Sequence, residues 1–205
     1  KEKDRQNKIL KRIRVSQSKN GNQPMPKAWA KVNSYNKFLV NDTVNKIMKF
    51  ALRNGADVIV CEHLNFSGSK KKGEKAQQLH MWKCRTIINK LEHNAHKYKM
   101  RFARVNPKNT SALAFDGSGY VKRDKDNASL CTFPTGITPT GKISYSKGKR
   151  YNSDLNASYN IGARYFIKEI LKSTSERKLS QLQAKAPEIV RRTQCTLSTL
   201  RLLVA

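Results

Sequence analysis

The sequence has 205 residues, of which 42 are lysine or arginine and 14 are aspartate or glutamate, so its formal net charge is +28. That length suits about one domain with appendages. A charge this high repels itself unless a polyanion is near, so nucleic acid is the expected partner. No stretch approaches ~18 consecutive apolar residues and no signal-peptide core is visible, which argues against a membrane and predicts a cytoplasmic protein.

The cysteine spacing does not indicate a disulfide framework or a zinc knuckle, because no two of the four cysteines form a CxxC pair. We expect all of them to be reduced thiols, and most of them to be packed. They are Cys61, Cys84, Cys131 and Cys195.

The N-terminal region begins with a basic arm, residues 1–26, which ends in the Pro-Met-Pro break of residues 24–26. Two interpretations of the arm remain open: a solvated helix face and a segment that contacts phosphate. Apolar residues then recur near helical spacing from 27 to 54, which predicts one long helix, or two in sequence, stopped by Gly55.

The next segments predict a βαβ unit within residues 27–108. The run DVIVC, 57–61, is short and rich in β-branched residues, as is typical of an interior parallel strand. A helix is expected over roughly 77–98, and a second strand over 101–106. A strand, a crossover of this length and another strand indicate a sheet that is at least partly parallel, so the fold class is α/β with flanking helices.

The C-terminal half changes character. Residues 109–150 hold five of the ten glycines and several short strand-like pieces, which predicts a small β-rich insertion. A helix is expected in residues 151–172, and a helical tail in 173–205 that either caps the sheet or meets a partner. The apolar stripe expected to face inward on the predicted helix consists of Leu155, Tyr159, Ala163, Phe166 and Ile170.

Two carboxylates occupy positions where α/β proteins bind ligands. Glu62 follows the first strand, and ligands bind beyond the carboxyl ends of parallel strands. Asp154 lies in the first turn of the final helix, where complementing the helix dipole is an ordinary explanation, just as Glu62 alone could simply end a strand. Together, the pair could converge on divalent cations that hydrolyse a phosphodiester.

Three segments carry a resemblance to a known family: DVIVCEHLNFSG, YKMRFARVNPKNTSALAFDGSG and RYNSDLNASYNIGARYF. In this order they resemble the C-terminal half of the TnpB (OrfB) transposon-encoded nucleases over roughly residues 35–170. The resemblance implies a RuvC domain of RNase H-like fold from an RNA-guided DNA endonuclease, with DNA and a guide RNA as partners. It also implies that Glu62 and Asp154 are catalytic ligands of Mg²⁺ or Mn²⁺.

The sequence departs from the family at its third carboxylate. That aspartate lies on the first sheet strand, and nothing before Lys27 offers an apolar strand that carries one. We therefore expect the fold to lack its first strands, and the aspartate to come from an N-terminal half outside this chain. Alone, the chain is expected to cleave weakly or not at all.

The family's zinc ribbon is also degenerate here. The positions corresponding to its cysteine pairs hold Ala114, Gly117 and Pro134, and only Cys131 is retained. A zinc ion needs about four ligands, so no zinc is predicted. We expect the insertion to fold by β-pairing and aromatic packing, or to remain loose.

Further site residues are expected around the carboxylates. Asn156 is a candidate to position a phosphate or a water from behind the metal ligands. The candidate nucleic-acid contacts are Lys70, Lys71, Lys72, Arg150 and Arg164. Besides a metal-dependent nuclease, two other functions fit the charge: a nucleic-acid-binding remnant that does not cut, and a basic structural protein of a ribonucleoprotein.

Overall fold

The computed structural model describes residues 2–21, 25–64 and 83–205 of a mixed α/β protein. Its helices are α1 (Glu2–Lys19), α2 (Pro26–Arg53), α3 (Cys84–Lys97), α4 (Ser153–Ser173), α5 (Glu176–Lys185) and α6 (Leu197–Val204), with a 3-10 helix at Pro187–Gln194. Its strands are β1 (Val58–Glu62), β2 (Arg101–Val105), β3 (Lys122–Arg123), β4 (Leu130–Thr132), β5 (Gly136–Ile137), β6 (Ile143–Ser144) and β7 (Arg150–Asn152). No described helix is long and apolar enough to cross a bilayer.

The described residues fall into two compact units. The N-terminal unit comprises those within 1–59 and 66–102, and the C-terminal unit those within 60–65 and 103–205. In the N-terminal unit α2 packs on α3, and the predicted stretch 27–54 is one continuous helix. Its core contains Val40, Val44, Met48, Ala51, Leu91, Ala95 and Met100.

The basic arm begins with a helix that packs on α2. Leu10 and Ile13 of α1 are buried against Val32 of α2 because they lie on one face of the helix. Val15 is 48% exposed, so the opposite face of α1 is open. Both interpretations of the arm, solvated face and phosphate contact, remain predictions.

The sheet pairing of β1 with β2 is parallel, which confirms the predicted partly parallel sheet. The amide of Arg101 donates to the Asp57 carbonyl, and the amide of His63 donates to the Val105 carbonyl, both over 2.8 Å. The predicted interior position is wrong for the described part of the chain. All five residues of β1 are only half-buried, because β2 is its one described neighbour.

The insertion in the C-terminal unit is ordered by strand pairing and aromatic packing. Strands β3, β4 and β7 form an antiparallel sheet, and β5 pairs with β6 as a hairpin. The Phe115 ring lies 5.4 Å from the Phe133 ring and 5.2 Å from the Tyr151 ring, measured between centroids. The Lys149 ammonium lies over the Tyr151 ring at 4.9 Å, and Gly148 admits no side chain because a Cβ would collide with the Phe133 carbonyl oxygen.

The inward stripe predicted for helix α4 is wrong for three of its five residues. Leu155 is 50% exposed, Tyr159 41% and Phe166 51%. The buried residues of the helix are Ser153, Asn156, Asn160, Ala163, Arg164, Tyr165 and Ile167. The inward face of α4 is therefore largely polar, and the tail packs against the far end of the helix through Ile167, Leu182 and Ile189.

Candidate functional site

Glu62 ends β1 and is held by a buried threonine. The Thr110 hydroxyl donates to Glu62 Oε1 at 2.5 Å and lies 2.9 Å from the Pro107 carbonyl oxygen. Thr110 is 1% exposed, whereas Glu62 is half-buried. One carboxylate oxygen is thus fixed by the protein, and Oε2 makes no hydrogen bond to any described residue.

The loop that carries Thr110 is fastened to α4 by two buried asparagines. Asn160 Nδ2 donates to the carbonyl oxygens of Thr110 at 3.0 Å and Leu113 at 2.9 Å. Asn156 Nδ2 donates to the same Leu113 oxygen at 2.8 Å, and its Oδ1 accepts from the Phe115 amide at 2.9 Å. Both side chains are fully buried, so these bonds satisfy amides that burial would otherwise penalise.

Arg164 joins this loop to the C-terminal tail. Its guanidinium donates to four carbonyl oxygens, those of Asn106 (2.9 Å), Lys108 (2.6 Å), Thr193 (2.7 Å) and Cys195 (3.1 Å). Burial lowers the pKa of Arg164, and the charges of Cys195 and Glu62 act in the opposite direction. The cation therefore holds the loop that carries Thr110, the partner of Glu62, against the C-terminal tail.

Asp154 is presented at the start of α4. The Asn152 side chain caps the helix by accepting from the amides of Asp154 at 2.9 Å and Leu155 at 3.0 Å. The Asp154 carboxylate is exposed and makes no hydrogen bond or ion pair with any described residue. At a rise of 1.5 Å per residue, Asp154 lies about 9 Å along the helix axis from Asn160, which holds the loop that carries Thr110.

Glu62 and Asp154 thus belong to one hydrogen-bonded framework formed by α4 and the loop that follows β2. No hydrogen bond joins their two carboxylates. Among the described residues, no group of three or more His, Cys, Asp or Glu side chains is arranged to hold a metal ion.

Comparison with known proteins does not assign this site. No family model matches the chain, and no curated protein matches it.

The other candidate residues have mixed outcomes. Lys70, Lys71 and Lys72 lie outside the described residues, so their role stays a prediction. Arg150 is exposed and pairs with Asp124 over 2.6 Å. Hydrogen bonds donated by the backbone amides of residues 126 and 127, together with the charge of Arg150, hold the pKa of Asp124 below its usual range, although burial acts in the opposite direction.

Two predicted contacts are corrected. Arg164 is 6% exposed and directs its guanidinium at backbone carbonyls, so it is an internal brace and not a phosphate contact. Asn156 is fully buried and its amide is engaged by residues 113 and 115, so it orders the loop and is not exposed to a substrate phosphate.

Cys195 leads to a pH prediction. Burial raises the pKa of its thiol to about 11, although the charges of Arg164 and Arg192 act against this shift. The unfolded thiol ionises first, near its usual pKa of 9.0, so the contribution of Cys195 to stability is complete below pH 9 and is lost as the pH rises towards 11. We expect urea midpoints to fall more steeply over this range for the wild type than for Cys195→Ala. Parallel pH profiles for the two proteins would contradict this.

Proposed function

We propose that this chain is the RuvC-like nuclease portion of a TnpB-type RNA-guided DNA endonuclease. In this proposal Glu62 and Asp154 are two ligands of the divalent cations that hydrolyse the phosphodiester. The observation that carries it is the shared framework: α4 presents Asp154 at its first turn and, through Asn160, holds the loop whose Thr110 fixes Glu62. Two isolated surface acids would not need this support.

The donor set fits Mg²⁺ or Mn²⁺. Both side chains offer hard carboxylate oxygens, and Mg²⁺ in phosphate chemistry is usually held by one or two carboxylates, with water and substrate phosphate completing its shell. When bound, such ions activate the attacking water and stabilise the leaving oxygen. Thr110 fixes Oε1 of Glu62, so Oε2 would be the oxygen left to bind the ion, and the exposed Asp154 carboxylate is accessible to an incoming strand.

The family's third carboxylate belongs to a segment outside these 205 residues in this proposal, and the guide RNA belongs to the whole protein. The net charge of +28 supports a polyanionic substrate, because counterion release favours binding to basic surfaces. The second candidate function is a nucleic-acid-binding remnant that does not cut. It is favoured by the finding that no described cluster supplies three metal-binding side chains.

Direct metal binding tests the proposal without requiring turnover. Titration with Mn²⁺, followed by electron paramagnetic resonance, is expected to show binding that weakens at least ~10-fold in both Glu62→Gln and Asp154→Asn, because each removes an anionic ligand while keeping the side-chain shape. The matched control is Asp126→Asn, an exposed acid of the insertion. Equal Mn²⁺ affinity in all four proteins would contradict the metal site.

Cleavage separates the two candidate functions. Labelled DNA is incubated with the chain and Mg²⁺ or Mn²⁺, with the same variants alongside. Metal-dependent cutting that falls at least ~100-fold in Glu62→Gln and Asp154→Asn is expected for the nuclease. Tight, salt-sensitive binding without cutting, unchanged in both variants, would favour the remnant.

A further inference from the structure

Helix α4 carries an apolar stripe that faces solvent. Leu155, Tyr159 and Phe166 follow one another at spacings of four and seven residues, so they lie on one side of the helix. They are 50%, 41% and 51% exposed, while the opposite side buries asparagine and arginine. An exposed row of large apolar side chains beside polar groups is typical of a binding surface.

Tyr159 is held in place by its neighbours. Its ring centroid lies 5.1 Å from that of Phe115 at an interplanar angle of 61°, and 6.5 Å from that of Tyr151. The neighbouring Tyr159 hydroxyl, with some burial, raises the pKa of Tyr151. Phe115 and Tyr151 themselves pack on buried Phe133, so the exposed Tyr159 ring is anchored to the core of the insertion.

A cation lies on the aromatic cluster that holds Tyr159, and a carboxylate opens the helix that carries the stripe. The exposed Lys149 ammonium lies 4.9 Å from the Tyr151 centroid and 5.2 Å from that of Phe115, the two rings that contact Tyr159. Asp154 opens the same helix, one residue before the stripe begins. An apolar protein partner covering this surface would desolvate the Lys149 ammonium without satisfying it.

We propose that Tyr159 and Phe166, with the apolar side chain of Leu155 beside them, form a stacking platform for the bases of single-stranded nucleic acid, with Lys149 at its phosphates. Flat rings bind unpaired bases of any sequence through their π faces, whereas a duplex keeps those faces stacked internally. The inference rests on the proposed function in one respect: it makes an unpaired strand the substrate presented to Asp154. The binding itself requires no metal.

The test is oligothymidylate binding in EDTA, followed by fluorescence anisotropy. Tyr159→Ala is expected to weaken binding by about 5- to 150-fold, which corresponds to the loss of one stacked base. Tyr159→Phe and Tyr159→Trp keep a stacking ring and are expected to bind like the wild type. The matched control is Phe50→Ala, because Phe50 is a 72% exposed aromatic residue of the N-terminal unit.

The outcomes separate this inference from the nuclease proposal. If Tyr159→Ala weakens single-strand binding but not duplex binding, the platform stands, even if no cleavage is ever detected. If the wild type does not bind the oligonucleotide, or Tyr159→Ala weakens single-strand and duplex binding equally or not at all, the platform is overturned while the metal site remains open. Sedimentation that shows self-association lost in Tyr159→Ala, with unchanged oligonucleotide binding, would overturn it in favour of a second copy of the chain.

Discussion

Replacing Arg164 with alanine is expected to lower the free energy of unfolding of the C-terminal unit by about 3–5 kcal/mol. The change leaves four carbonyl oxygens, from residues 106, 108, 193 and 195, without their donor, and it removes a side chain that is only 6% exposed. An acceptor left unsatisfied where it is buried, as at Cys195, costs about 1–3 kcal/mol, whereas water can hydrate the carbonyls of the exposed residues Asn106 and Lys108 and so limits the sum. Urea unfolding followed by circular dichroism measures the loss.

Two further variants sharpen this experiment. Arg164→Lys keeps the charge but lacks the planar fork, so we expect an intermediate loss. Arg177→Ala removes an exposed arginine from α5 of the same unit and is expected to change stability by no more than about 0.5 kcal/mol. If Arg164→Ala and Arg177→Ala unfold at the same urea concentration, the brace assigned to Arg164 is wrong.

Replacing Asn160 with alanine is expected to destabilise the same unit by about 2–4 kcal/mol. The side chain is fully buried and donates to the carbonyls of Thr110 and Leu113, while its Oδ1 accepts from the Leu197 amide at 3.3 Å. Alanine satisfies none of these groups and leaves a small cavity. Thermal or urea unfolding gives the size of the effect.

Hydrogen exchange distinguishes this loss from a general weakening. In Asn160→Ala the Leu197 amide is expected to exchange faster, because its acceptor is gone, by a larger factor than amides in α2 of the other unit. Ser158→Ala, on the exposed side of the same helix, serves as the control and should leave that exchange rate unchanged. Equal rates for Leu197 in wild type and Asn160→Ala would rule out the assigned bond.

The sequence predicts the parallel pair and the long helix because local signals specify them. β-branched residues in DVIVC and the stop at Gly55 act over a few neighbours, and so does the helical spacing of α2. The positions of the two carboxylates follow from equally local signals. Glu62 ends β1, and Asp154 lies in the first turn of the predicted helix α4.

The inward face of α4 could not be predicted in this way. Hydrophobic periodicity assigns asparagine and arginine to the solvent side. Here, however, the backbone partners of Asn156 lie more than 40 residues earlier in the chain, and those of Asn160 lie more than 40 residues earlier and 37 residues later. Those of Arg164 lie 29 to 58 residues away. The spacing of residues within one helix does not predict hydrogen bonds to backbone groups so far away in the sequence. Thr110 was missed for the same reason: its local role in capping a turn is readable, but its bond to Glu62 spans 48 residues.

The bonds from α4 to the tail also set an order of events during protein synthesis. Arg164 and Asn160 find acceptors or donors at residues 193, 195 and 197, which the ribosome adds 29 to 37 residues after Arg164 and Asn160 themselves. At ~5–20 residues per second, the loop behind Glu62 waits roughly 2–7 seconds for its last supports. A nascent chain therefore completes this centre only after Leu197 has been translated.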